Sequence, residues 1–143
     1  MLISELLSRK GTGVATVLPT APVTAVLTEL AEHGIGALVV SADGERPDGI
    51  VSERDIVRAL HRLGPGVLHE PVAVIMSRDV HSCTPADTVD SLAATMTALR
   101  IRHVPVVADD RLAGIVSIGD VVKSRIDELE EDRRALEHYI SAR

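Results

Sequence analysis

Two short stretches of the chain carry polar side chains in the same pattern. "GIVSERD" and "GIVSIGD" place Ser52 three residues before Asp55 and Ser117 three residues before Asp120. Each serine lies where an apolar strand is expected to end and a helix to begin, and the unpaired N–H groups of a helix start suit a phosphate. An aspartate within one turn can accept hydrogen bonds from a vicinal diol such as that of ribose. Together, these groups fit the phosphate and the ribose of a nucleotide.

The same spacing has a purely structural interpretation. Ser-x-x-Asp is close to a capping box, in which the serine and an acidic residue close the first turn of a helix reciprocally. Because a structural cap would be duplicated together with the rest of a repeat, duplication does not separate the two interpretations. Spacing alone favours the cap.

The elements around the motifs recur as well. At an offset of 66 residues Pro19 meets Pro85, and after the loop "SADGERPD" the offset drops to 65. Each unit is predicted to hold a strand, a helix, two β-rich runs and a second helix that begins right after the serine, in the order β-α-β-β-α. The first strands are expected at about 14–18 and 79–83.

The repeat predicts an α/β fold of the α+β type. A unit of roughly 50 residues buries little surface alone, so we expect two units packed sheet to sheet with pseudo-two-fold symmetry and a cleft between them. We divide the chain into residues 1–66 with a lead-in helix, 67–124 with a connector, and 125–143, which extends a long C-terminal helix.

Composition narrows the function. A net charge of −6 and an aromatic content of 1% argue against nucleic acid, which needs cationic surface and stacking platforms. No apolar run approaches the roughly 20 residues that cross a bilayer, and no secretory signal is evident, so we expect a cytoplasmic protein without membrane contact. Neither metal-ligand spacing nor a nucleophile–base pair is evident, so we expect no enzyme and no catalytic cofactor. The single cysteine, Cys83, is expected to be a buried small hydrophobe.

The β-α-β-β-α order, "RHVPVV" and the two G-h-h-[S/T]-x-x-D motifs (h is apolar) together resemble a tandem pair of CBS domains, or Bateman module. The resemblance covers nearly all of residues 1–123 and is closer for small stand-alone pairs. It implies a regulatory protein that binds an adenosine ligand in the cleft: AMP, ADP, ATP or NAD(H), with S-adenosylmethionine less expected. It also implies a homodimer and, as a further expectation, a regulated protein partner.

The resemblance assigns roles to particular residues. It implies that the motif serines contact phosphate and the motif aspartates contact ribose, giving one site with Ser52 and Asp55 and another with Ser117 and Asp120. Two residues on the first strands match positions that line the adenosine end, Thr16 and Ser82.

The two sites are not expected to be equivalent. The resemblance implies that Arg102 and His103 reach the phosphate at the Asp55 site, to which Arg54 adds charge, whereas Gly36 and Ala37 give the other site nothing. We therefore predict that a phosphorylated adenosine ligand binds more tightly at Asp55. Arg102 as a solvated edge residue and His103 as a packing residue are the alternatives.

Two further segments have features that the repeat does not explain: the basic pair before the first strand and the C-terminal tail. Arg9 and Lys10 precede the first strand, where a helix C-terminal charge is the simpler interpretation and a position at a cleft mouth is the other. The tail carries an interrupted apolar stripe, which suits packing on the module or on a dimer mate. An alternative function is a scaffold in which the Ser-x-x-Asp motifs are only caps.

Overall fold

The computed structural model describes residues 1–142, which form five helices and two small sheets. The first half holds α1 Ile3–Lys10, β1 Thr16–Val17, α2 Val23–His33, β2 Ala37–Val40, β3 Gly49–Ser52 and α3 Glu53–Leu63. Two short 3-10 turns, Pro65–His69 and Val72–Val74, connect it to α4 Val89–Leu99, β4 His103–Ala108, β5 Arg111–Ser117 and α5 Ile118–Ser141. The predicted fold class is confirmed, including the long C-terminal helix.

The strands pair as the repeat requires. In the first sheet β1 lies parallel to β2, and β2 lies antiparallel to β3 with Leu38 opposite Val51. In the second sheet β4 and β5 form an antiparallel hairpin with Val104 opposite Val116. These four side chains are at most 1% exposed, because the apolar face of each sheet is covered by its helices.

The predicted strand at 79–83 is wrong. Only Cys83 pairs with the second sheet, through a single parallel bridge to Val106. The residue that corresponds to Val39, the partner of Thr16 in the first sheet, is Pro105. Since proline has no N–H to donate, the parallel ladder shrinks to the bonds around Cys83. Burial raises the pKa of the Cys83 thiol to about 11, so the thiol stays protonated and packs as an apolar group.

The lead-in segments are exchanged between the two cores. Helix α1 packs in the core of the second repeat, where Ile3, Leu6 and Leu7 are buried with α4, β4 and β5. The connector packs in the core of the first repeat, where Val72 is fully buried. Each repeat is therefore completed by a segment that precedes the other repeat in the chain.

Matching hydrogen bonds hold the two exchanged segments in place, and their donor residues are 69 positions apart in the chain. The N–H of Ile3 donates to the Asp87 carbonyl at 2.8 Å, and the N–H of Val72 donates to the Ala21 carbonyl at 2.7 Å. The pseudo-two-fold relation thus extends beyond the strands and helices to the segments that lead into them.

The same relation holds where each lead-in segment crosses a strand. A Cβ atom on Gly49 would lie 2.6 Å from Met76 Sδ, and one on Gly114 would lie 2.6 Å from Leu7 Cδ2. Both glycines therefore lie under a close side chain of a lead-in segment, and at Gly114 this contact involves only the side chain of Leu7. Within residues 1–142, we find no helix that is both long and apolar enough to span a membrane.

Candidate functional site

The first Ser-x-x-Asp motif lies at the junction of β3 and α3. Ser52 has an extended backbone and is the N-cap of α3, and its Oγ accepts a hydrogen bond from the Asp55 N–H at 3.3 Å. Asp55 Oδ2 accepts in return from the Ser52 N–H at 2.8 Å and from the Ser52 hydroxyl at 3.0 Å. The predicted capping box is therefore present here.

The second motif repeats this geometry at the junction of β5 and α5. Ser117 Oγ accepts from the Asp120 N–H at 3.1 Å, and Asp120 Oδ2 accepts from the Ser117 N–H at 2.8 Å. Both motifs are thus complete helix caps in the protein alone. Any ligand at either aspartate must use carboxylate lone pairs that the cap leaves over.

A cavity of about 260 Å³ opens beside the first motif, between the two repeats. It gathers five of the predicted site residues, namely Ser52, Arg54, Asp55, Arg102 and His103. The other four predicted site residues do not line it: Thr16, Ser82, Ser117 and Asp120. Thr16 is half-buried in β1, and Ser82 is exposed.

The residues that line this cavity carry more positive than negative charge. Arg54, Arg58, Arg100 and Arg102 all line it, and none of the four forms an ion pair with another residue between 1 and 142. Acidic groups at Glu53, Asp55 and Asp79 balance them only in part. Unpaired guanidinium groups at a cavity edge are well suited to bind phosphate oxygens bidentately.

His103 lies where the two repeats meet. A Cβ on Gly36 would lie 3.3 Å from Cε1 and Nε2 of its ring, so the imidazole packs against Gly36 of the first repeat. Burial lowers the pKa of His103, the charge of Lys10 lowers it further, and the carboxylates of Glu53 and Asp120 oppose both effects. In the protein alone, the pKa of His103 is therefore shifted towards the neutral ring, which can both donate and accept a hydrogen bond.

The second aspartate has a lysine partner, and the first has none among residues 1–142. Lys10 Nζ, at the end of α1, lies 2.5 Å from Asp120 Oδ2 and 2.6 Å from the Ile115 carbonyl oxygen. Burial opposes ionisation of Asp120, but the hydrogen bonds from Lys10 and Ser117 and the lysine charge outweigh it and lower the pKa of this carboxyl. The Asp120 carboxylate is therefore ionised and already engaged.

Several lining residues were not among the predicted site residues. Arg100, Asp79 and His81 line the cavity from the end of α4 and from the connector. Arg100 caps the C-terminus of α4 in a left-handed conformation with φ of 55°, which ends the helix at this residue. The loose recurrence of "ELLSRKG" as "VIMSRDV" was a usable signal for Asp79, because it aligns that residue with Lys10.

The comparisons with known proteins agree with this architecture. A sequence model of the CBS domain family matches residues 3–62 and 72–127, one stretch for each repeat. The mitochondrial CBS domain-containing protein CBSX3 of Arabidopsis thaliana is 37% identical over 115 residues, which are 78% of this chain; the match spans 56% of that relative's length.

Solved structures match over most of the chain. The crystal structure of a CBS-domain containing protein from Agrobacterium tumefaciens is 45% identical and superposes with a TM-score of 0.84, covering 87% of this chain and 99% of its own. A Pyrobaculum aerophilum CBS domain protein complexed with AMP is 33% identical, with a TM-score of 0.73 and coverages of 84% and 89%.

A further structure, a CBS domain pair in complex with 5′-methylthioadenosine and S-adenosyl-L-methionine, is 26% identical, with a TM-score of 0.76 and coverages of 86% and 98%. The two matched repeats, the fold of the described residues and these neighbours lead to one conclusion: the chain belongs to the CBS domain family, as a tandem pair of CBS domains.

Proposed function

We propose that this chain is a regulatory module that binds an adenosine nucleotide in the cavity at Asp55 and catalyses no reaction. One observation carries the proposal: the cavity combines a Ser-x-x-Asp motif with four arginines that form no ion pair among the described residues. The motif supplies a carboxylate for a ribose diol, and the arginines supply charge for phosphate. The cavity lies between the repeats, where a ligand touches both.

The capping box uses only one carboxylate oxygen of Asp55, so the other is available to a ligand. Its Oδ2 atom takes the hydrogen bonds from Ser52, and no residue between 1 and 142 donates to Oδ1. A ribose diol can therefore bind at Oδ1 without breaking the first turn of α3. Arg54 and Arg102 approach the same space from opposite repeats, so a phosphate between them would join the two repeats.

Charge selects among the adenosine ligands. AMP, ADP, ATP and NAD(H) all bring phosphate to the arginines, whereas S-adenosylmethionine brings a sulfonium cation. AMP is the ligand named for the Pyrobaculum relative, and S-adenosylmethionine and methylthioadenosine are those of the other pair. We place the phosphorylated ligands first for this chain, for this electrostatic reason.

The regulatory step is a change in the relative position of the repeats. A ligand that contacts both repeats favours the arrangement in which those contacts form, and it shifts the equilibrium only by its differential affinity for the two arrangements. A protein partner that recognises one arrangement would then respond to the nucleotide. A cytoplasmic location stays a prediction.

We also propose a homodimer, on the basis of α5. Beyond Ser124 this helix exposes apolar side chains on one stripe at coiled-coil spacing, interrupted by Arg133: Ile126, Leu129, Leu136 and Ile140. A helix segment with no packing partner is marginally stable in water, so a second copy of the chain that covers the stripe would stabilise it.

The dimer is tested by sedimentation equilibrium. Leu129→Glu places a charge in the stripe and should convert the dimer to a monomer, whereas Ala135→Glu adds the same charge at an exposed position off the stripe and should not. A wild-type chain that sediments as a monomer at every concentration would overturn this proposal.

Binding is tested by calorimetric titration of AMP, ADP, ATP, NAD, NADH and S-adenosylmethionine. Asp55→Ala should abolish binding of the phosphorylated ligands at the first cavity, and Asp120→Ala should preserve it. Asp120→Ala is a matched control because each variant removes the acidic member of one capping box. Retained binding in Asp55→Ala, together with loss in Asp120→Ala, would contradict the proposed site.

One observation favours a second function, that of a scaffold. Both capping boxes are complete in the protein alone, so the motifs have a structural role without any ligand. If none of the adenosine compounds at millimolar concentration binds the wild-type chain or raises its melting temperature, the scaffold function is supported.

A further inference from the structure

The second cleft, at Asp120, differs from the first because a lysine of the same chain binds its aspartate. The ammonium group of Lys10 donates to the Asp120 carboxylate and to the Ile115 carbonyl oxygen, both within 2.6 Å. Its side chain is 32% exposed and that of Asp120 is 23% exposed, so the pair lies at the cleft mouth, partly screened from water. The carboxylate that corresponds to the ribose-binding group of the first site is thereby engaged by the chain itself.

Lys10 and Asp79 are equivalent positions with opposite charge. The 69-residue offset that relates the exchanged segments relates Leu7 to Met76, and Leu7 and Met76 cover Gly114 and Gly49 in the same way. Three residues further on, the same offset relates Lys10 to Asp79. Asp79 lines the first cavity and forms no bond with Asp55, since like charges repel.

Local conformation explains how Lys10 reaches the second cleft. Helix α1 continues through Lys10, whereas the connector leaves its 3-10 turn at Val74 and pairs Ser77 with Ile50 through two backbone hydrogen bonds. In α1 the backbone N–H groups at the corresponding positions form hydrogen bonds within the helix. The Ile115 carbonyl therefore accepts from the Lys10 side chain and not from a backbone N–H group.

Space remains beside this pair. A cavity of about 310 Å³ lies between α1 and α5, and Lys10, Asp120 and Lys123 contribute to its walls. Displacement of the lysine would therefore leave a carboxylate with an open volume next to it, where Arg9 and Lys123 supply positive charge and Asp127 opposes it.

We propose that Lys10 is the specificity-determining residue of the second cleft. Its ammonium shares Oδ2 of Asp120 with the capping box and neutralises the carboxylate, so a ribose diol, for which only Oδ1 remains, meets a much weaker acceptor than at Asp55, and the chain binds a single adenosine nucleotide at the Asp55 cavity. This inference rests on the proposed function. It makes the two clefts unequal through the lead-in segment, in addition to the inequality in arginines.

The test is the stoichiometry of AMP binding, measured by calorimetric titration of the full chain. The wild type should bind one AMP per chain, and Lys10→Ala should bind two. Arg9→Ala is the matched control, because it removes one positive charge from the same helix turn, and Arg9 forms no hydrogen bond or ion pair with Asp120 among residues 1–142; it should keep one site.

A double variant identifies the site that appears. In Lys10→Ala/Asp120→Ala the second site should be lost again while the first remains. Lys10→Met retains the aliphatic stem without the ammonium, so a second site in this variant as well would show that the ionic contact, and not bulk, excludes the ligand. Circular dichroism and the melting temperature confirm that each variant is folded.

The outcomes separate this inference from the proposed function. Two sites in the wild type, or one site in both the wild type and Lys10→Ala, would overturn the role of Lys10 and leave the Asp55 site standing. No binding to the wild type and one site in Lys10→Ala would support the role of Lys10 and overturn the proposed function. No binding to either would overturn both.

Discussion

The two clefts of this CBS pair are built on nearly the same backbone and hold different chemistry. At the first, Asp55 faces a cavity edged by four arginines and by Asp79. At the second, Asp120 carries the same capping box but is bonded to Lys10, and the positions that correspond to Arg102 and His103 are Gly36 and Ala37. The helix caps require the shared residues, whereas the positions around them are free to change charge. Pseudo-symmetry therefore preserves the frame of a site and not its ligand preference.

The largest expected difference between the repeats is in the stability cost of substituting Gly49 and Gly114, the glycines over which the lead-in segments cross. A Cβ on Gly49 would meet both Met76 Sδ at 2.6 Å and the Ser77 carbonyl oxygen at 2.9 Å, and that backbone is held by two hydrogen bonds. At Gly114 the nearest atoms all belong to the Leu7 side chain. We expect Gly49→Ala to lower the free energy of unfolding by about 2 to 3 kcal/mol and Gly114→Ala by about 1 kcal/mol.

Urea denaturation of both variants measures this difference. Measured against Met76→Ala alone, Gly49→Ala should recover only part of the loss, because the clash with the Ser77 carbonyl remains. Full recovery would show that the two crossings are equally adaptable and would remove this distinction between the repeats.

The next effect concerns the arginines of the first cleft. Arg102→Ala should weaken AMP binding by about tenfold or more, since a hydrogen bond to a charged group contributes roughly 1.5 kcal/mol or more. Binding of adenosine, which has no phosphate, should be unchanged. Arg46→Ala, in a loop outside the cavity, is the charge-matched control for the titration. An equal loss for AMP and adenosine would mean that Arg102 supports the fold of the site and not the phosphate.

The two capping boxes should behave alike. Ser52→Ala and Ser117→Ala each remove an N-cap side chain and should each cost about 1 kcal/mol in the free energy of unfolding. Thermal and chemical denaturation of the two variants, in the absence of ligand, measures the pair. A loss at only one serine would show that the repeats also differ in their helix starts.

The smallest effect is a pH dependence at the junction of the repeats. The folded-state pKa of His103 lies below its unfolded value of about 6.5, so the unfolded chain binds more protons and stability falls as the pH drops through that value. Between about pH 7.5 and pH 5.5, the wild type should lose more unfolding free energy than His103→Gln, by less than about 1 kcal/mol.

Urea denaturation at both pH values measures this difference. His69→Gln removes an exposed histidine and should retain the wild-type dependence. If His103→Gln has the same pH dependence as the wild type, the buried position of this ring contributes nothing to it, and the junction is not a source of asymmetry.

Most of the fold could be predicted from the sequence. The helices, the strands β2 to β5 and the start of α3 and α5 right after Ser52 and Ser117 follow from apolar periodicity and cap residues, which act within a few positions along the chain. It failed at 79–83, where the pairing partner lies more than 20 residues away and is Pro105. Local pattern does not report the hydrogen-bonding capacity of a distant partner strand.

The sequence by itself determined the repeat, the two capping boxes and the family, because these depend on residue types at short, fixed spacings. The tertiary structure decided which core each lead-in segment joins, and hence that Lys10 binds Asp120 while Asp79 lines the cavity of Asp55. A contact between positions 110 residues apart depends on how far α1 continues as a helix and where it packs. Only the packed chain sets both quantities, and through them the difference between the two clefts.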